Sequence, residues 1–179
     1  MSAKLRERLP IVEDVLGERE AVLSLNLTSY KNHVYRMVNF GLAFGDLSPA
    51  EEEKVIIAGC FHDLGIWNDG TFDYLRPSIA LAREYLEQIH KPDWSDQISL
   101  MIGEHHKLRR HRGDALTEAL RRADLVDISL GVIRFGLDPV FVRDVRTRFP
   151  NTGFHVGLLR TACSWVLHHP FNPVPVLKW

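Results

Sequence analysis

The stretch Ser48-Pro49-Ala50-Glu51-Glu52-Glu53-Lys54-Val55-Ile56-Ile57-Ala58-Gly59-Cys60-Phe61-His62-Asp63-Leu64-Gly65 decides how the rest of the chain reads. Ser48 suits an N-cap, Pro49 the first helical position, and Glu51 the acidic place of a capping box. The apolar run that follows predicts a buried helix, ended by Gly65 just after His62 and Asp63. Two adjacent ionisable side chains at such a place are costly unless something compensates them, and a metal ion does so directly. Neighbouring helix positions diverge by about 100 degrees, so the two side chains can reach one ion only if it lies near the helix end.

Working outward, Ile11 to Leu25 predicts an opening helix loosened at Gly17, and Tyr30 to Phe44 an amphipathic one. His33 falls one turn before Met37 on the apolar side of that second helix. Asn68-Asp69-Gly70-Thr71 is turn chemistry, and Pro77 favours a helix start with Ile79, Leu81, Tyr85 and Leu86 inward. Further helices are expected from Gln97 to about Lys107, from Asp114 or Thr117 to Phe135, from Asp138-Pro139 to Phe149, and from Thr152 to His168. No β-alternation, repeat or low-complexity tract interrupts them. The expectation is one all-α domain of about eight helices over residues 1–170, with a proline-rich extended tail over 171–179.

The chain has 179 residues, enough to bury a core, with 45% hydrophobic and 25% charged residues. A formal net charge of −1 creates no global field toward nucleic acid or an anionic membrane, and no nucleic-acid motif is present. The N-terminal residues carry charges without a following apolar stretch, so no signal peptide is expected, and no apolar run approaches the ~20 residues that span a bilayer. Cys60 and Cys163 read as buried free thiols of a reducing compartment, with the cytoplasm as default.

His33, the pair His62-Asp63 and Asp124, each on its own helical segment, resemble in order and context the HD-domain superfamily of metal-dependent phosphohydrolases over roughly residues 28–130. The resemblance implies an all-α bundle whose metal ligands are His33, His62, Asp63 and Asp124. Two imidazoles and two carboxylates suit one divalent transition metal ion (Mn, Fe, Co, Ni or Zn) better than Mg or Ca. Asp127, one turn beyond Asp124, reads either as a partner to a ligand or as a solvated carboxylate.

Two-metal members of the family carry extra histidines between the pair and the last aspartate. His105-His106 resembles the later of these, but Arg76-Pro77-Ser78 puts arginine where the earlier one is expected. Arginine has no free lone pair for a metal, so a single ion is expected. Arg76 then reads as a guanidinium for a phosphate group or as a surface salt bridge at a helix start. His105 or His106 could serve a leaving oxygen, and consecutive helix positions predict that one of the two faces solvent. The family's frequent His-Asp-Ile-Gly-Lys departs here to His62-Asp63-Leu64-Gly65-Ile66-Trp67, and the glutamate of some nucleotide-cleaving members is missing. Trp67 reads as core packing or as a stacking surface for a planar substrate. Lys107 to Arg112, with Arg121 and Arg122, reads as complementing a helix C-terminus or as a basic rim around the metal.

The resemblance implies hydrolysis by metal-activated water, with Asp63 binding metal and helping to activate that water, and with Arg76, His105 and His106 attending the substrate oxygens. The expected partner is a small anionic, nucleotide-like phosphomonoester or phosphodiester. Alternatives on the same scaffold are a hydratase of small nitriles such as cyanamide and a non-catalytic nucleotide-binding domain. The C-terminal apolar residues either wrap the domain or cross to a second copy, which leaves a homodimer open.

Overall fold

A computed structural model of the chain describes residues 3–172 and 175–176. The capping box forms as the residues dictate: Ser48 Oγ accepts from the Glu51 amide, and Glu51 Oε2 accepts from the Ser48 amide at 2.8 Å. From it runs α4 (Pro49–Phe61), buried continuously from Val55 to Phe61 and therefore central. Around it pack α1 (Pro10–Gly17), α3 (Leu27–Leu42), α6 (Leu75–Gln88), α7 (Ser95–Glu104) and α8 (Ala115–Ile128). The single turns α2 (Glu20–Leu23) and α5 (Gly65–Asn68), then α9 (Pro139–Arg148) and α10 (Phe154–His168), complete the helices. Eight of these have eight residues or more, and no strand occurs among the described residues, so the all-α expectation holds. No helix among the described residues is long and apolar enough to cross a membrane.

The crossing of α3 over α4 is set by Gly59. A Cβ there would lie 2.6 Å from Val38 Cγ2 and 3.3 Å from Met37 Cε, so any side chain would push the two helices apart. This brings His33 on α3 close to the end of α4.

Several boundaries differ from the sequence expectation. Gly65 does not cap α4: that helix ends at Phe61, and Gly65 opens α5. Its lack of a side chain serves contact with α6, because a Cβ would meet Tyr74 O at 2.6 Å and Pro77 Cβ at 2.9 Å. Helix α8 stops at Ile128 rather than Phe135. Leu130, at φ 55°, reverses the chain, its amide bonding Asp127 O and the Gly131 amide bonding Val126 O. That is the Schellman closure, here with leucine in the left-handed position. Asp114 caps the start of α8, accepting from the Thr117 amide at 2.7 Å.

Cys60 is buried, as expected, but Cys163 is exposed, because α10 buries only Phe154. Beyond α10, Trp165 Nε1 donates to Asn172 O, and Val176 is buried against Ile66, Phe72, Tyr74 and Leu75. Pro173, Val174 and Leu177 to Trp179 of the expected extended tail lie outside the described residues.

Candidate metal centre

Four helices deliver the site. His33 comes from α3, His62 and Asp63 from the turn that ends α4, His105 and His106 from the turn after α7, and Asp124 from α8. Exposure is 0% for His33 and His62 and 1% for Asp63, His105 and Asp124. Such burial of ionisable groups demands that every lone pair and every proton find a counterpart.

The protons are fixed by surrounding acceptors. His33 Nδ1 donates to Asp127 Oδ2 at 2.6 Å, His62 Nδ1 to Gly59 O at 2.8 Å, and His105 Nδ1 to Ile102 O at 2.6 Å. A backbone carbonyl or an ionised carboxylate can only accept, so each of these neutral rings turns an Nε2 lone pair to the interior. His33 Nε2 and His62 Nε2 face each other at 3.0 Å. A hydrogen bond between them would require one ring to carry two N–H groups, and burial pushes His33 down to about 4 despite the nearby carboxylate of Asp127. Asp63 Oδ1, His105 Nε2 and Asp124 Oδ1 have no hydrogen-bond partner among the described residues. The interior is thus lined by acceptor atoms, an arrangement that suits a cation.

The spacing fits one. Asp63 Oδ2 lies 3.3 Å from His62 Nε2 and 3.8 Å from His33 Nε2, and Asp124 Oδ1 lies 4.0 Å from His33 Nε2. Donors about 2.1 Å from a shared ion sit about 3.0 to 3.4 Å apart in octahedral or tetrahedral geometry, so modest contraction completes the shell. His33, His62 and Asp63 form one group able to hold an ion, and Asp63, His105 and His106 form a second. Three of the four residues expected as ligands, His33, His62 and Asp63, thus share one group, with Asp124 Oδ1 4.0 Å from His33 Nε2 but in neither group, and Asp63 is common to both.

Protonation follows the same logic. Burial opposes ionisation of Asp63, and holding its carboxyl below the ordinary value takes positive charge at His62 and His105; with both rings neutral, that role falls to a cation. Asp124 is pushed up to about 8 by burial and by the neighbouring carboxylates of Asp63 and Asp127. A divalent cation bound beside it would favour its ionised form.

Behind the ligands lies an arrangement only half foreseen. Asp127 is not a solvated carboxylate. Its oxygens take Arg36 Nε at 2.5 Å and Nη2 at 2.8 Å besides His33, and these partners outweigh burial to hold its acidity high. Arg36, only 2% exposed, also donates to Phe149 O at 3.0 Å. The signal was present in the sequence: His33/Arg36 and Asp124/Asp127 repeat the same three-residue spacing on two facing helices.

Three sequence expectations need correction. His105 and His106 both face the site, because α7 ends at Glu104 and the two residues follow it in a turn rather than on a helix. Arg76 is exposed and makes no hydrogen bond or ion pair among the described residues. Tyr74, 1% exposed, approaches instead, its hydroxyl 2.5 Å from His106 Nε2. The basic run does not ring the ligands: Arg110 and Arg112 border a separate cavity of about 510 Å³ with Phe44, Leu47 and Arg122. Arg121 and Arg122 are bound to Glu118. Trp67 packs on Tyr30, with ring centroids 4.5 Å apart, and also borders a cavity beside the centre.

Fold and site together define an all-α protein built around a buried histidine–aspartate centre suited to a divalent metal. The chain belongs to the HD domain family, whose sequence profile matches residues 30–130. No curated protein and no solved structure matches it.

Proposed function

We propose that this protein is a metal-dependent hydrolase of small phosphoesters. The observation that carries the reading is the convergence of three imidazole lone pairs and two carboxylates, every ring proton already committed outward. His33, His62, Asp63 and Asp124 would hold one divalent transition metal ion, which would supply Lewis acidity toward water and a phosphoryl oxygen.

The remaining residues act around it. Asp63 Oδ1 and His105 Nε2 are unpartnered acceptors 3.4 Å apart, so a water bridging the two from one side is oriented by both and gives its proton to one of them. His106 differs from the other three histidines. No backbone carbonyl fixes its tautomer; Nδ1 lies 3.5 Å from Asp124 Oδ2, and its side chain keeps 14% exposure. It is therefore the ring placed to hold a proton at Nδ1 near the leaving oxygen, with the Tyr74 hydroxyl orienting it through Nε2. Arg76 has no part in this reading.

The neighbouring cavity walls carry no lysine or arginine, which favours as a second reading the hydration of a small neutral nitrile. One screen distinguishes the two: phosphomonoesters, phosphodiesters and cyanamide, each with Mn, Fe, Co, Ni and Zn. Phosphoester cleavage (phosphate from a monoester, a monoester and an alcohol from a diester) that needs metal and vanishes in Asp63→Asn supports the first reading, and urea from cyanamide the second. Protein purified without chelator should carry one equivalent of metal, and a metal-free preparation that cannot be loaded defeats both.

A further inference from the structure

The five fully buried site residues raise the question of how a substrate reaches them. One of the side chains that cover His33 comes from the last helix. The Phe154 ring stacks on the His33 ring at 4.0 Å between centroids and 13° between planes. Phe154 is the one buried residue of α10, whose Val156, Leu159 and Leu167 are 53%, 64% and 80% exposed. It directly follows Thr152 and Gly153, both left-handed at φ 48° and 90°.

On the far side of Phe154 lies a cavity of about 350 Å³, bordered by Trp67, Ile66, Phe154, Gly157, Leu158 and Thr161. One aromatic layer separates it from the ligands: Trp67 and Phe154 on the cavity side, and Tyr30 and His33 behind them. Its volume falls in the range of small-molecule sites, and its walls are aromatic, aliphatic or uncharged polar. Such walls suit a planar uncharged ring and offer nothing to a free phosphate.

We infer that Phe154 is the movable wall between this cavity and the metal centre, and that the cavity seats the ring-bearing, non-reacting part of the substrate. The inference rests on the phosphoesterase reading and specifies its substrate as an ester of a planar aromatic or heteroaromatic group. Displacement of α10 about Thr152–Gly153 uncovers His33, and the ring then packs against Trp67 while the phosphoryl group meets the ion. Phe154 touches a ligand and the substrate's path, whereas Gly157 leaves the room that the ring occupies, since a Cβ there would meet nothing within 4 Å.

Two measurements on metal-loaded protein test this. The first is the rate at which a chelator, dipicolinate, strips the ion. Phe154→Ala should speed release at least tenfold at unchanged metal stoichiometry, and Leu167→Ala, at the exposed far end of α10, should not change it. Equal rates in wild type and Phe154→Ala overturn the gate and direct access to the His106–Tyr74 side. The second is calorimetric titration with phenylphosphonate and methylphosphonate. Wild type should bind the ring-bearing probe at least tenfold tighter, and Gly157→Phe, which fills the cavity, should abolish that preference. Equal affinities in wild type, or binding of neither probe, overturn the cavity assignment. Metal content keeps the two levels apart: wild type that cannot be loaded defeats the centre itself, whereas loaded wild type indifferent to both substitutions defeats only the gate and cavity.

Discussion

Replacing Asp127 with asparagine should separate what holds the centre together from what binds metal. The carboxylate is fully buried and accepts three charge-assisted hydrogen bonds, two from Arg36 and one from His33. Asp127→Asn keeps the shape but turns an amide NH2 toward a guanidinium and leaves Arg36 as an uncompensated buried cation. Removing one partner of a buried pair costs about 3–5 kcal/mol. Whole domains are stable by only about 5–15 kcal/mol, so this loss is a large share of the total. Urea denaturation of the metal-free protein should therefore show a midpoint shift far beyond that of a surface substitution. Separately, the amide makes His33 less basic and less firmly oriented, which should weaken metal binding by about 10- to 100-fold in chelator competition. The two losses have different cures. In the double variant Arg36→Met/Asp127→Asn the buried charge is gone, so much of the stability should return, less what the carbonyl of Phe149 forfeits. Metal affinity should stay low. Asp127→Asn within about 1 kcal/mol of wild type and with undiminished metal affinity would refute the reasoning.

Glu118, only 7% exposed, binds Arg121, Arg122 and the His111 amide, and these partners outweigh burial to lower its pKa from 4.5 to about 2. A depressed carboxyl supplies stability that is complete above its unfolded value and lost as pH falls through the folded one. The difference in stability between wild type and Glu118→Gln should therefore be constant above about pH 5 and shrink from there toward pH 2, as urea titrations at stepped pH will show. Ser48→Ala removes the N-cap of α4 and should cost about 1 kcal/mol, with metal content unchanged; a loss above about 3 kcal/mol would mean that Ser48 does more than cap. Gly65→Ala forces a Cβ to within 2.6 Å of Tyr74 O, so α6 must shift. It should cost about 1–3 kcal/mol and disturb the Tyr74–His106 contact, visible as a changed His106 imidazole resonance in NMR, whereas an unperturbed resonance would show that the turn yields elsewhere.

The sequence by itself determined the helices, because the signals that make them are local. Ser48, Pro49 and Glu51 act within one turn, as do Asp138 and Pro139 at α9, and apolar spacing marks the buried face of α3 and α6 without reference to anything distant. It also marked His62 and Asp63, since an ionisable pair at the end of an apolar helix is costly wherever that helix packs, whereas His33 and Asp124 were reached only through the resemblance to the HD-domain family. Only the tertiary structure decided which neighbours join them. Asp127 meets His33 and Arg36 across more than 90 residues of chain, and no local preference encodes that meeting. His105 and His106 turn inward together because α7 stops one residue earlier, Tyr74 enters where Arg76 was expected, and Phe154 arrives from the last helix to close over His33. Helix formation is set by each residue's near neighbours along the chain, but the lining of a buried site is set by how whole helices pack, and packing is a property of the assembled core.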